Sequence, residues 1–166
     1  MNKLLDVNNV SISFIQYTKG LKQQNLKVIT DLTLDIEEGE ILAVLGSSGS
    51  GKSLLAHAIL GILPDNADLN GEIKYNGNVL NQKAKEEIRG KEISLIPQSV
   101  NFLDPLMKIA DQVIGECETE EECHEKQIKQ RKIFEKYGLS EDVDNMYPFQ
   151  LSGGMARRVL ISTALL

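Results

Sequence analysis

The residues best suited to chemistry lie in one glycine-rich run, Gly46-Ser47-Ser48-Gly49-Ser50-Gly51-Lys52-Ser53. It fits the phosphate-loop pattern G-x-x-x-x-G-K-[ST]. Glycines let the backbone curl so that successive N–H groups converge on an anion. A helix opening directly after the loop adds partial positive charge at its first turn. Lys52 would place a point charge on the β- and γ-phosphates of a nucleoside triphosphate, and Ser53 would offer a hydroxyl to Mg²⁺. Roughly 100 residues downstream, Leu151-Ser152-Gly153-Gly154-Met155 sets a serine and two glycines at the start of another helix. That arrangement serves as an ordinary N-cap or as a second anion site.

The elements around the loop follow from hydrophobic period. Leu32, Leu34 and Ile36 alternate with Thr33 and Asp35, which predicts a half-buried strand. After the turn Glu37-Glu38-Gly39-Glu40, the apolar run Ile41 to Leu45 predicts a strand covered on both faces. Lys52 to about Ile62 predicts a helix stopped by Pro64. Ile73 and Tyr75 lead into Asn76-Gly77, a hairpin turn, with Val79-Leu80 returning. Glu92 to Ile96 predicts a short strand before Pro97-Gln98. Farther on, Glu125 to Tyr137 predicts a helix ended by Gly138, Asp144 to Gln150 a loop, and Ser152 the cap of a last helix. There is no internal repeat and no low-complexity tract.

Composition bounds the rest. The 166 residues suit one domain, and 42% apolar content can build a core. A formal net charge of -6 with no basic face argues against nucleic acid as a partner. The N-terminus, Met1-Asn2-Lys3-Leu4-Leu5-Asp6, opens no secretory signal, and no run approaches the ~20 apolar residues of a membrane span. The expectation is a cytoplasmic chain whose membrane role, if it has one, comes through a partner. Cys117 and Cys123 are expected to be free thiols in a reducing compartment. With His124 they match no zinc spacing, and the stretch reads as a solvated acidic helix or loop.

Leu151 to Met155 resembles the signature motif of the ATP-binding cassette (ABC) ATPases, whose commonest form is Leu-Ser-Gly-Gly-Gln. The resemblance implies an α/β P-loop fold with an N-terminal antiparallel β subdomain and an inserted helical subdomain. It also implies that Ser152, Gly153 and Gly154 face the γ-phosphate held by a partner's loop, so that ATP is sandwiched between two chains. Gln98 resembles the Q-loop glutamine, which in this family contacts Mg²⁺ and the attacking water and whose loop touches the transmembrane subunit. An N-terminal aromatic stacks on adenine in the family. Phe14, at the end of Val10-Ser11-Ile12-Ser13-Phe14, takes that place, with Tyr17 or a plain core role for Phe14 as alternatives.

One branch is closer. Asn101-Phe102-Leu103-Asp104-Pro105-Leu106-Met107, Tyr147-Pro148-Phe149-Gln150 and Met155 look like peptide and nickel importers, whereas Ser47 and Ala156-Arg157-Arg158 depart from that branch. The implied function is the motor subunit of an importer. It would bind ATP and Mg²⁺ at the cytoplasmic face of the membrane, with permease subunits and a second ATPase subunit as partners and an extracytoplasmic binding protein as an indirect one. The implied division is 1–83 for the β subdomain and phosphate-loop part of the core, 84–158 for the Q-loop and helical subdomain, and 159–166 for a return to the core. The family's Walker B Asp and Glu and its switch histidine are not among the 166 residues, so the sequence reads as a fragment truncated at its C-terminus, with slow hydrolysis and an open apolar edge at Ile41 to Leu45. A non-transport ABC ATPase, a catalytically silent ATP-binding module and a P-loop kinase are the alternatives.

Overall fold

The computed structural model describes residues 3–17 and 22–166; Met1 and Asn2, read above as part of the N-terminus, lie outside them. The chain forms two compact units, Met1–Ile93 and Ser94–Leu166.

The first unit is built on strands β1 (Lys3–Tyr17), β2 (Gln23–Glu37), β3 (Ala67–Tyr75) and β4 (Asn78–Val79), joined as an antiparallel sheet in the order β2-β1-β3-β4. Leu32 to Ile36 alternates within β2 as its period predicts, and the β3–β4 turn uses Asn76 at φ 49° and Gly77 at φ 78°. Two positive φ values are what a right-twisted two-residue hairpin requires. A crease crosses the three long strands. Asn9 and Asp31 both take positive φ, and the register of β1 slips against both neighbours beside Asn9. Gly71 lies against this point, where an added Cβ would sit 2.5 Å from the Asn9 carbonyl oxygen, so only glycine fits. Ser11 Oγ donates to Asp31 at 3.2 Å and accepts from the Asp31 N–H at 2.9 Å, while Thr33 Oγ1 accepts from the Asn9 N–H at 3.0 Å.

Helix α1 (Lys52–Leu60) lays Leu55 and Ala58 onto Val7, Val10, Ile12 and Ile73 of the sheet. Its stop is Gly61, at φ 67°, rather than Pro64: the Gly61 N–H returns to Ala58 and the Ile62 N–H to His57, a left-handed glycine closure three residues before the proline can act. A second helix, α2 (Gln82–Ile88), is capped by Asn81, whose side chain accepts from the Ala84 N–H.

Two expected strands do not form. Ile41 to Leu45 carries no strand, and Ile41 and Leu45 are 96% and 90% exposed. Glu92 to Ile96 yields only an isolated bridge between Arg89 and Ile93. A strand exists only as part of a ladder; among the described residues nothing pairs with the first run, and a single bridge does not make a ladder of the second.

The second unit is helical: α3 (Ile109–Ile114), α4 (Glu120–Lys136) and α5 (Gly153–Leu165) surround a core of Ile109, Val113, Phe134, Val143 and Val159. Helix α4 begins five residues before the expected Glu125, because Thr119 caps it by accepting from the Glu122 N–H and three glutamates occupy its first turn. Gly138 ends it as expected. The segment expected as a loop, Asp144 to Gln150, takes in the end of one 3₁₀ turn, Glu141–Asn145, and the whole of another, Pro148–Gln150. Cys117 and Cys123 are not free thiols: they form a disulfide, with Cα atoms 5.4 Å apart, inside the ~4.4–6.8 Å that a bridge can span. The first turn of α4 brings Cys123 back beside the connector that carries Cys117. No group of three or more potential metal ligands occurs among the described residues.

Candidate functional site

In the first unit the loop from Gly46 to Gly51 leaves β2 through the exposed run above and enters α1. Gly49 stands at φ 81° and Gly51 at φ 89°, ψ 3°, the left-handed region that glycine alone enters readily. Gly51 is the N-cap of α1, and no side chain caps the helix and no acidic residue occupies its first turn. The leading amides of an α-helix have no partner within the helix, so α1 presents uncapped N–H donors beside a cation. That cation, Lys52, folds back on the loop. Its Nζ donates to the carbonyls of Gly46 at 2.8 Å and Ser47 at 2.6 Å and to Ser50 Oγ at 3.2 Å. The loop is tight: an added Cβ at Gly46 would lie 2.6 Å from Ser50 Oγ. The Ser50 N–H closes onto the Ser47 carbonyl at 3.3 Å. Ser48 and Ser53 are exposed, and neither side chain has a hydrogen-bond partner. Such a loop can accept a polyphosphate by exchanging the carbonyls on Lys52 for phosphate oxygens.

The aromatic candidates sit on β1. Phe14 is half-buried and packs against the sheet core; Tyr17 is 65% exposed, and its hydroxyl accepts from Gln23 Nε2 at 3.0 Å. An exposed ring has a free face for stacking, and a core ring does not.

In the second unit Gln98 is exposed, with no partner for its amide. Ser152 caps α5 as expected, its Oγ accepting from the Met155 N–H at 3.3 Å and its carbonyl from the Ala156 N–H at 2.9 Å. Gly153 and Gly154 are exposed, and a Cβ at either would meet nothing within 4 Å. Sequence reasoning missed Arg158 as a positioning residue. Its Nε donates to the Gly154 carbonyl at 3.2 Å, and one terminal nitrogen donates to the Tyr137 carbonyl at 2.8 Å, tying the first turn of α5 to the end of α4. The i, i+4 spacing from Gly154 was a visible signal, since a long side chain on a helix reaches back over the preceding turn.

Residues 29–166 match the family model described as ABC transporter. The chain is 35% identical to the dipeptide transport ATP-binding protein DppD of Lactococcus lactis subsp. cremoris (strain MG1363), an alignment covering 98% of this chain and 48% of that protein. It is 33% identical to the oligopeptide transport ATP-binding protein OppD of Bacillus subtilis (strain 168), covering 99% of this chain and 48% of that one. It thus spans about half the length of the curated relatives it matches. Among solved structures, the dimeric bacterial ABC transporter cassette MJ0796 superposes with a TM-score of 0.75 at 26% identity, covering 97% of this chain and 68% of that one. A second structure of the same cassette, titled a post-hydrolysis state bound to ADP and Pi, fits equally well.

Proposed function

The chain belongs to the ABC transporter family and has its ATPase-cassette fold, and from that premise we propose that it is the nucleotide-binding part of an importer motor that couples ATP hydrolysis to uptake of peptides. One observation carries the nucleotide reading. The uncapped N-terminus of α1 and the Lys52 ammonium meet at a left-handed glycine turn, and Lys52 is held only by groups that a phosphate can replace. Gly46, Ser47, Ser48, Gly49, Ser50 and Gly51 supply the curled backbone, and Lys52 the charge on the β- and γ-phosphates. Tyr17, with its exposed face, is favoured over Phe14 for the adenine.

Mg²⁺ suits the Ser53 hydroxyl of the first unit, a hard oxygen donor with no other partner. Bound there, the ion would neutralise charge on the β- and γ-phosphates. In this proposal Gln98 also orients the attacking water.

Ser152, Gly153 and Gly154 are proposed to meet the γ-phosphate of a second cassette. Two glycines in a helical first turn each cost about 1 kcal/mol relative to alanine, and no described residue occupies the space they leave. A surface that must admit another molecule's phosphate does need it. The relatives' names support peptide cargo over nickel. No described helix is long and apolar enough to cross a membrane, which suits a peripheral subunit working through permease partners.

Titration of the chain with a fluorescent ATP analogue tests the reading: saturable binding is expected, and Lys52→Ala should weaken it by roughly tenfold or more. Binding of equal affinity in that variant would overturn the phosphate-loop assignment.

A further inference from the structure

In the second unit the Cys117–Cys123 bridge ties the connector after α3 to the first turn of α4. Both cysteines are half-buried rather than enclosed, and neither belongs to the unit's core. The start of α4 is also held without them. The Thr119 hydroxyl accepts from the Glu122 N–H at 3.1 Å, and the Glu118 N–H donates to the Glu122 carboxylate at 2.8 Å. Lys126 Nζ donates to the Glu116 carbonyl at 2.7 Å. Opening the bridge would therefore release a surface connector and leave the helix start capped. The surroundings decide which reagents reach the sulfurs. Cys117 stands between Glu116 and Glu118, while Glu120, Glu121, Glu122 and Glu125 flank Cys123. Lys126, the nearest lysine along the chain, is committed to Glu122 in a 2.8 Å ion pair. Glu116, Glu118, Glu120, Glu121 and Glu125 pair with no described cation. Helix α3, packed against α4, brings Asp111 and no cation.

We propose that Cys117–Cys123 is a redox modification site, opened and closed by exchange with small thiols, whose carboxylate-rich surface admits neutral or cationic thiols and holds off anionic ones. In the opening direction an external thiolate attacks one sulfur and forms a mixed disulfide, and the other sulfur leaves as a thiolate that takes up a proton. A second thiol resolves the mixed disulfide. In sum two external thiols give up two electrons and become one disulfide, and the bridge gains them and becomes two thiols. The attacking group is itself an anion, so the unpaired carboxylates oppose it most when the reagent carries further negative charge. The connector from residue 115 to residue 119 is the part set free. Helix α4, capped by Thr119 and anchored by Phe134 in the core, stays.

The test treats the whole folded chain at low salt with cysteamine (cationic), 2-mercaptoethanol (neutral) or glutathione (anionic). Thiols are counted by maleimide labelling and mass spectrometry after an acid quench. Each rate is divided by that thiol's rate with a neutral small-molecule disulfide. The air-equilibrated protein is expected to label at neither cysteine and the reduced protein at both. The normalised rates should fall from cysteamine to glutathione, by roughly tenfold in all. That spread should shrink at about 1 M salt, where charges are screened beyond about 3 Å, and in the surface variant Glu118→Gln/Glu120→Gln/Glu121→Gln. Reduction, or Cys117→Ser, should leave the helical circular dichroism unchanged and speed hydrogen exchange at 115–119 alone. Two free thiols in the air-equilibrated protein would overturn the proposal. So would a bridge that opens only in denaturant, equal normalised rates for the three thiols, or loss of α4 on reduction.

Discussion

The two glycine turns that open α1 and α5 look alike in sequence and differ in construction. At α1 the cap is a glycine in the left-handed region, the helix has no side-chain cap, and Lys52 closes over the loop. At α5 the cap is Ser152 in extended backbone, its hydroxyl already satisfies an amide, and the two glycines stand in open space. The first turn is complete within its own unit and can hold an anion unaided. The second is a finished helix start whose glycines no described residue crowds. In the proposed reading the first turn binds the phosphates and the second is approached by those of a partner.

The comparison breaks most visibly at Lys52. Lys52→Ala should weaken ATP binding roughly tenfold to a hundredfold, since charge-assisted contacts contribute about 1.5–3 kcal/mol; isothermal titration would measure it. Glycine substitutions sharpen the contrast. Gly51→Ala forces a Cβ into the left-handed region and to 3.0 Å from Ile29 Cγ1, a loss of about 1–3 kcal/mol visible in urea unfolding. Gly153→Ala, by the same assay, should stabilise the chain by about 0.5–1 kcal/mol, because helical alanine costs less entropy than glycine and nothing crowds the site. If both changes destabilise alike, the two turns are not different in kind.

The smallest effect concerns the start of α4, a helix with its own serine-like cap. The hydrogen bond from Lys126, followed by the Glu118 N–H, holds the Glu122 carboxyl below its ordinary range. The folded state therefore binds fewer protons there than the unfolded one. The stability from this group is present above the unfolded value and fades as pH falls through the folded one. Glu122→Gln should flatten that part of an acid-unfolding profile.

Both turns could be recognised in the sequence because their determinants are local. Lys52, Gly51 and Ser152 act on backbone atoms within a few positions of themselves, and so do Asn76-Gly77 and Gly138. Asn81 followed by a run of helix formers marks the start of α2 just as locally. What could not be read depends on distant partners. Ile41 to Leu45 has the composition of a buried strand, but composition does not supply the neighbouring strand that would make it one. The Cys117–Cys123 pairing depends on where the first turn of α4 begins, and compartment reasoning cannot locate that turn. The burial of Lys85 depends on Gly61, which comes 24 positions earlier. Gln98 lies between these cases: its place between two motifs was visible, whereas its freedom from any partner was not.

The crease through Asn9, Asp31 and Gly71 also bears on how the molecule keeps to itself. β2 is the outer strand of the sheet and runs for 15 residues. A flat margin of that length would offer its unpaired peptide groups to any passing extended chain. The positive φ at Asp31, in the middle of the strand, interrupts that row, and the charges of Lys27, Asp31 and Asp35 along it penalise an incoming copy. The kink that lets three strands bend together thereby leaves two short docking margins in place of one long one, a guard against fibril-like stacking written into the backbone itself.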